Sequence, residues 1–234
     1  MMNERHFDQK LGDLKQRMLK MAGAVERSIQ EAVRSLVTRD NTLAEKVIAD
    51  GKQIDGMEVE IEEEALALFA LRQPVASDLR LVAAVIKANT DLERINDHAV
   101  NIAERALEVN VLPTLKPLID IPRMATTAQW MVKNALDAFV NQDVALADAI
   151  RLRDDELDSL CDQIFRELLT YMMVDPATID RATHLILISR DLERVGDHAS
   201  NIAEDVVYVV QGRIVRHHQA QLRNAAGPPP STDR

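Results

Sequence analysis

The sequence predicts an all-α chain built as two tandem three-helix bundles, and three observations carry that reading. Only seven glycines occur in 234 residues and aromatic side chains make up 3%, a composition that suits packed helices and argues against sheets. Apolar residues, mostly Ala, Leu, Val, Ile and Met, recur at helical spacing in patterns of about 30 residues. The stretch Asp91–Glu104, DLERINDHAVNIAE, returns at Asp191–Glu204 as DLERVGDHASNIAE, 100 residues later and with eleven of its fourteen positions unchanged. Duplication on this scale favours two similar units.

The first pattern runs from Phe7 to about Thr38, with Leu11, Leu14, Met18, Met21, Ala22, Val25, Ile29, Val33 and Leu36 on one face. Asp40, or Thr42 with Glu45 as a capping box, opens a second helix through Val47, Ile54, Met57, Ile61, Ala65 and Leu68. Pro74 ends it or opens the third helix, which carries Leu79, Val82, Val85 and Ile86 into the Asp91–Glu104 stretch. There Leu92, Ile95, Ala99, Ile102 and Ala103 form an apolar face opposite Glu93, Asp97, Asn101 and Glu104. Pro113, Pro117 and Pro122 break any helix between 110 and 123.

The pattern restarts with a helix over Met124–Val140. Asp143 caps the next helix, and Asp175-Pro176 reads as a cap followed by a first-turn proline. The last helix runs through the second copy to about Arg216. Asp40 aligns with Asp143 and Asp55 with Asp158 at an offset of 103, while Asp91 aligns with Asp191 at 100, so short insertions fall at helix joins. The expected organisation is a bundle over 1–110, a linker over 111–122, a bundle over 123–216 and a disordered tail over 217–234.

Formal net charge is −10, acidic in both halves, and the poverty of aromatics argues against nucleic acid as a partner. Cations or a basic protein surface fit better. Cys161 is the only cysteine, so no intrachain disulfide forms; it reads as a buried structural thiol. With no signal-peptide core and no run of 18 apolar residues, the expected location is cytoplasmic.

The acidic rows are unusual for a solvated helix face. Glu93 with Asp97 and Glu193 with Asp197 stand one turn apart with no lysine between them, a repulsive arrangement. Asp55, Glu58 and Glu62 form a row on the second helix, and its counterpart contains Asp154, Asp158 and Asp162. Two such rows on neighbouring helices repel unless a cation or protons neutralise them. On the residues alone, a solvated face and a metal site stay equally open, and all-oxygen ligands suit Mg, Ca, Mn or Fe. His98 and His198 fit a hydrogen bond at a bundle edge more simply than a place in a cluster. Arg94 and Arg194 fit pairing with nearby carboxylates. The Glu-x-x-His spacing of ferritin-like di-iron oxidases, HExxH and a phosphate-cradling Gly-rich loop are all absent. No nucleophile with a base is recognisable, so the expected protein is not an enzyme.

The twin LER-[IV]-x-D motifs at Leu92–Asp97 and Leu192–Asp197, with RQPVASDLR at Arg72–Arg80, make the chain resemble the PhoU family over nearly its full length. The resemblance implies a cytoplasmic regulator of phosphate uptake and of phosphate-starvation signalling. Such a protein acts between the ATPase subunit of a phosphate ABC transporter and a sensor histidine kinase, as a negative regulator when phosphate is plentiful. It touches the membrane only peripherally, through its partners, and forms a homodimer. The resemblance also implies a multinuclear metal cluster, iron first, with Mg, Mn or Zn admitted, held by Glu/Asp-x-x-x-Asp motifs. Carried over, these are Glu93 with Asp97, Glu193 with Asp197, and Asp154 with Asp158. Asp55 lacks its motif partner because Gly51 stands there. The alternative is a metal-dependent phosphoester catalyst or a metal-storage bundle.

Overall fold

The structure, a computed structural model, describes residues 2–72 and 76–215. Six α-helices follow in order: α1 (Met2–Thr38), α2 (Asn41–Arg72), α3 (Ala76–Asn110), α4 (Asp120–Asn141), α5 (Val144–Val174) and α6 (Ile179–Gln211). No strand occurs among the described residues. Within each half the three helices pack on one another. The predicted apolar faces are the core: Leu14, Met18, Met21, Val25 and Ile29 of α1 are buried, as are Leu92, Ile95, Ala99, Ile102 and Ala103 of α3. Leu79 departs from expectation, being exposed while Leu81 turns inward.

Chain turns follow the repeat. Asp40 accepts from the Leu43 amide at 3.0 Å, and Asp143 from the Leu146 amide at the same distance, so each aspartate satisfies an orphan donor of the following helix. Asp40, not Thr42, is therefore the cap of α2. Each cap follows a residue in the left-handed region, Arg39 (φ 57°) and Gln142 (φ 55°). The Arg39 guanidinium donates to the carbonyls of Asn110 and Leu112, fastening the α1–α2 turn to the end of α3.

Several boundaries differ from the sequence reading, beginning with α1, which starts at Met2 ahead of Phe7. Pro122 lies in the first turn of α4, where its missing N–H costs nothing, so the helix starts ahead of it. Asp175 caps one 3₁₀ turn, Pro176–Thr178, before α6 begins. α6 ends at Gln211 because Gly212 (φ 67°) takes the left-handed position and donates to the Tyr208 carbonyl. Pro74 and the tail over 217–234 lie outside the described residues.

The halves do not stand apart. α3 packs along α6, and α1 meets α4. Lys87 pairs with Asp205, and His98 with Asp191, so α3 and α6 run antiparallel. At the middle of this seam the two copies of the motif exchange partners. The His98 ring donates from Nδ1 to Asp191 at 3.0 Å, and the His198 ring from Nδ1 to Asp91 at 2.8 Å. The two imidazole centroids lie 5.7 Å apart. A pseudo-two-fold axis through the seam accounts for the reciprocity, since it carries each motif onto the other.

Candidate metal centre

The C-terminal half brings three predicted ligands together. Asp154 and Asp158, one turn apart on α5, face Asp197 of α6, and one oxygen of each lies within 4.8 Å of the others. Two carboxylates at i and i+4 project from one side of a helix, and α6 packs against that side. Glycine permits the approach: a Cβ at Gly196 would stand 2.4 Å from Leu157 Cδ2 and 3.3 Å from Asp154 Oδ1. Such contacts exclude any side chain there unless Leu157 and Asp154 withdraw.

Electrostatics identify the strained member. Burial, followed by the charges of Asp158 and Asp197, pushes the Asp154 carboxyl up to about 7. The Ser200 hydroxyl lowers it somewhat but completes no hydrogen bond to Oδ1, which is buried. Asp197 is also raised, by burial first and by Glu193, against the lowering effect of Arg194, whose Nη1 lies 3.8 Å away. A buried acceptor without a full hydrogen bond, set among carboxylates, fits a hard cation with oxygen ligands.

Glu193 stands one turn from Asp197 but outside the trio. Its Oε2 accepts the Cys161 thiol at 3.4 Å, and that thiol also lies 3.8 Å from Ser189 Oγ. Burial, with the Glu193 charge, pushes Cys161 to about 11. Cys161 is thus a buried thiol as expected, with an unforeseen second role in holding a carboxylate.

The N-terminal half arranges its predicted ligands differently. Glu93 and Asp97 are bridged by Arg94 at 3.4 Å each, so the arginine pairs with carboxylates as the sequence suggests. Glu93 is raised by burial first, then by Asp97, and also by Glu58 across on α2. Glu58 is raised by burial and by Glu62 and Asp55. Asp55 itself is exposed. Among the described residues, no three donor atoms of this half gather as those of the other half do.

Neither histidine joins a carboxylate cluster; both serve the α3–α6 seam. Their partners, Asp91 and Asp191, have no role in the sequence reading, although the signal is present there. Each copy of the motif has an aspartate and, seven residues later, a histidine. Asp191 additionally accepts from Arg105 Nε at 3.2 Å, and Asp91 from Asn201 at 3.3 Å.

Comparison with known proteins places these features in a family. The family model described as PhoU domain matches twice, over residues 18–106 and 121–206. A Pseudomonas aeruginosa protein named phosphate-specific transport system accessory protein PhoU homolog is 41% identical over 90% of this chain and 88% of its own length. An Aquifex aeolicus protein of the same name is 41% identical over 88% and 94%. The crystal structure of PhoU from Pseudomonas aeruginosa superposes with a TM-score of 0.86 at 40% identity, covering 88% of this chain and all of that one. The phosphate transport system regulatory protein PhoU from Streptococcus pneumoniae superposes at 0.83 with 29% identity, over 89% and 99%. With both halves matched by one family model and relatives 41% identical over most of their length, the chain belongs to the PhoU family.

Proposed function

We propose that this chain is an accessory regulator of phosphate transport and phosphate-starvation signalling. It works in the cytoplasm as a metal-carrying adaptor between the ATPase subunit of a phosphate ABC transporter and a sensor histidine kinase, holding the starvation response down when phosphate is plentiful. The names of its relatives, with their near-complete coverage, support the transport assignment. Among the described residues no helix is long and apolar enough to cross a membrane, which suits peripheral contact through a partner. Exposed Phe165, Leu169 and Met173 on α5 suit an apolar contact surface, either between two copies in a homodimer or with a partner.

The observation that carries the metal reading is Asp154 Oδ1, buried between two other carboxylates with no full hydrogen bond to that atom and only the nearby Ser200 hydroxyl to ease its charge. Asp154, Asp158 and Asp197 would hold the cation, with Glu193 beside them. The bound metal, iron first and Mg, Mn or Zn next, would supply positive charge that lets all the carboxylates ionise together. Asp55, Glu93 and Asp97 make the corresponding but looser N-terminal set. No step of this reading calls for turnover; the protein acts by binding.

The test pairs metal content with partner binding. Glu193→Ala/Asp197→Ala should lose most bound metal with helicity intact, because both residues lie off the hydrophobic core. Binding of purified ATPase subunit and kinase cytoplasmic domain should weaken in the same variant. Unchanged metal content would return the acidic rows to solvated surface. Phosphoester turnover that requires Asp197 would replace the adaptor with a catalyst.

A further inference from the structure

The two copies of the repeated motif differ at only three positions, 95/195, 96/196 and 100/200. Two of these three face the point on the neighbouring helix where the copies also differ, Gly51 on α2 and Asp154 on α5. In the N-terminal half a Cβ at Gly51 would lie 2.9 Å from Val100 Cγ2 and 3.5 Å from Asn96 Nδ2. In the C-terminal half the large and small members change places: the carboxylate is on α5, and Gly196 on α6 leaves room for it. Ser200 replaces Val100, and its hydroxyl acts to lower the Asp154 pKa.

We infer that this three-residue exchange, Gly51–Asn96–Val100 against Asp154–Gly196–Ser200, decides which half takes up the cation, and that only the C-terminal half is a tight site. The inference rests on the metal reading above and adds to it an asymmetry between halves.

The argument is steric first. An aspartate at 51 cannot be accommodated while Val100 holds its place, because the Cβ contact at 2.9 Å is shorter than real Cβ contacts. The volume that a carboxylate fills in one half is filled in the other by the buried Asn96 amide and the Val100 methyl. Asn96 is 1% exposed and is a neutral group in a pocket that now lacks its innermost anion. The charge difference follows. Three carboxylates converge in one half, whereas in the other Glu93 and Asp97 share a single close pairing with Arg94, and the equivalent Arg194 stands farther from Asp197. Glu58 stands at the position of Cys161 and adds an acid two turns away from the missing one. It faces Glu93, giving a looser pair in place of the trio.

The experiment is an exchange of the three residues in each direction, with Mn²⁺ as the probe, read by equilibrium dialysis and by electron paramagnetic resonance on the full chain stripped with chelator. Gly51→Asp/Asn96→Gly/Val100→Ser should add a second tight site and about double the bound Mn²⁺ at saturation. Asp154→Gly/Gly196→Asn/Ser200→Val should abolish tight binding, weakening it by about a hundredfold or more. Circular dichroism checks that each variant folds. If the second variant fails to fold, the first still decides.

Tight binding that survives in the second variant would place metal in the N-terminal half and overturn the inference. So would a first variant that folds and gains no metal. Wild-type protein that takes up no Mn²⁺ at all would overturn both this inference and the metal reading. Wild-type uptake divided equally between the halves would overturn only the asymmetry.

Discussion

At the scale of single residues, Asp154 ties stability to pH in a direction opposite to that of an ordinary paired carboxylate. Its folded pKa of about 7 lies above the unfolded value, so between pH 4 and 7 the folded state binds more protons than the unfolded one. The metal-free protein should therefore lose stability as pH rises from 5 to 8. Asp154→Asn should remove roughly 1–3 kcal/mol of that dependence, allowing for partial solvent screening. Urea unfolding in chelator at the two pH values measures it, and a variant with the same pH slope as wild type would refute the assignment. Cys161 supports a second prediction. With its thiol pushed to about 11 and the residue buried, it should resist iodoacetamide at pH 8 in the folded protein and react readily once unfolded. Mass spectrometry follows the adduct, and rapid labelling of the native chain would contradict the hydrogen bond to Glu193.

At the scale of helices, the seam between α3 and α6 is held by groups that resemble ordinary surface charges in the sequence. Asp191 is 8% exposed and accepts from both His98 and Arg105. Asp191→Ala should cost about 2–4 kcal/mol, because it strands two partly buried donors along with the lost bonds. Asp91→Ala should cost less, about 1–2 kcal/mol, since it releases His198 and the neutral Asn201. A double-mutant cycle with His98→Ala isolates the pair, and a coupling near zero would show that the seam is held by packing alone.

The helices themselves are legible in the sequence because 3.6-residue periodicity reports which side of a helix is buried, whatever buries it. That is why Leu92, Ile95, Ala99 and Ile102 fall where the pattern puts them. Periodicity does not say which helix lies on a polar flank, so Asp91 and Asp191 pass for solvated acids. The carboxylate trio is legible in its types and spacing. Its asymmetry is visible at Gly51 but not at Asn96 and Val100, whose meaning depends on contact across two helices.

At the scale of the whole molecule, the repeat suggests two independent units while the packing argues for one. A continuous core runs through both halves. The buried Asp191 and Asp205 of α6 both have partners on α3, and Glu26 of α1 lies within the fields of Lys133 and Asp137 of α4. Separating the halves would expose these groups together with the apolar surface around them, so each half should depend on the other for its stability. Trp130 gives the means to see this, because it is the only tryptophan and belongs to α4. Its fluorescence reports the C-terminal half, whereas far-ultraviolet circular dichroism reports all six helices. In urea the two signals should change together in one transition with a single midpoint. Cleavage between α3 and α4, within 111–119, should leave the halves associated until that same midpoint. A Trp130 transition displaced from the dichroism curve would mean that the halves unfold separately, and that the crossed His–Asp pairs orient two domains without joining them.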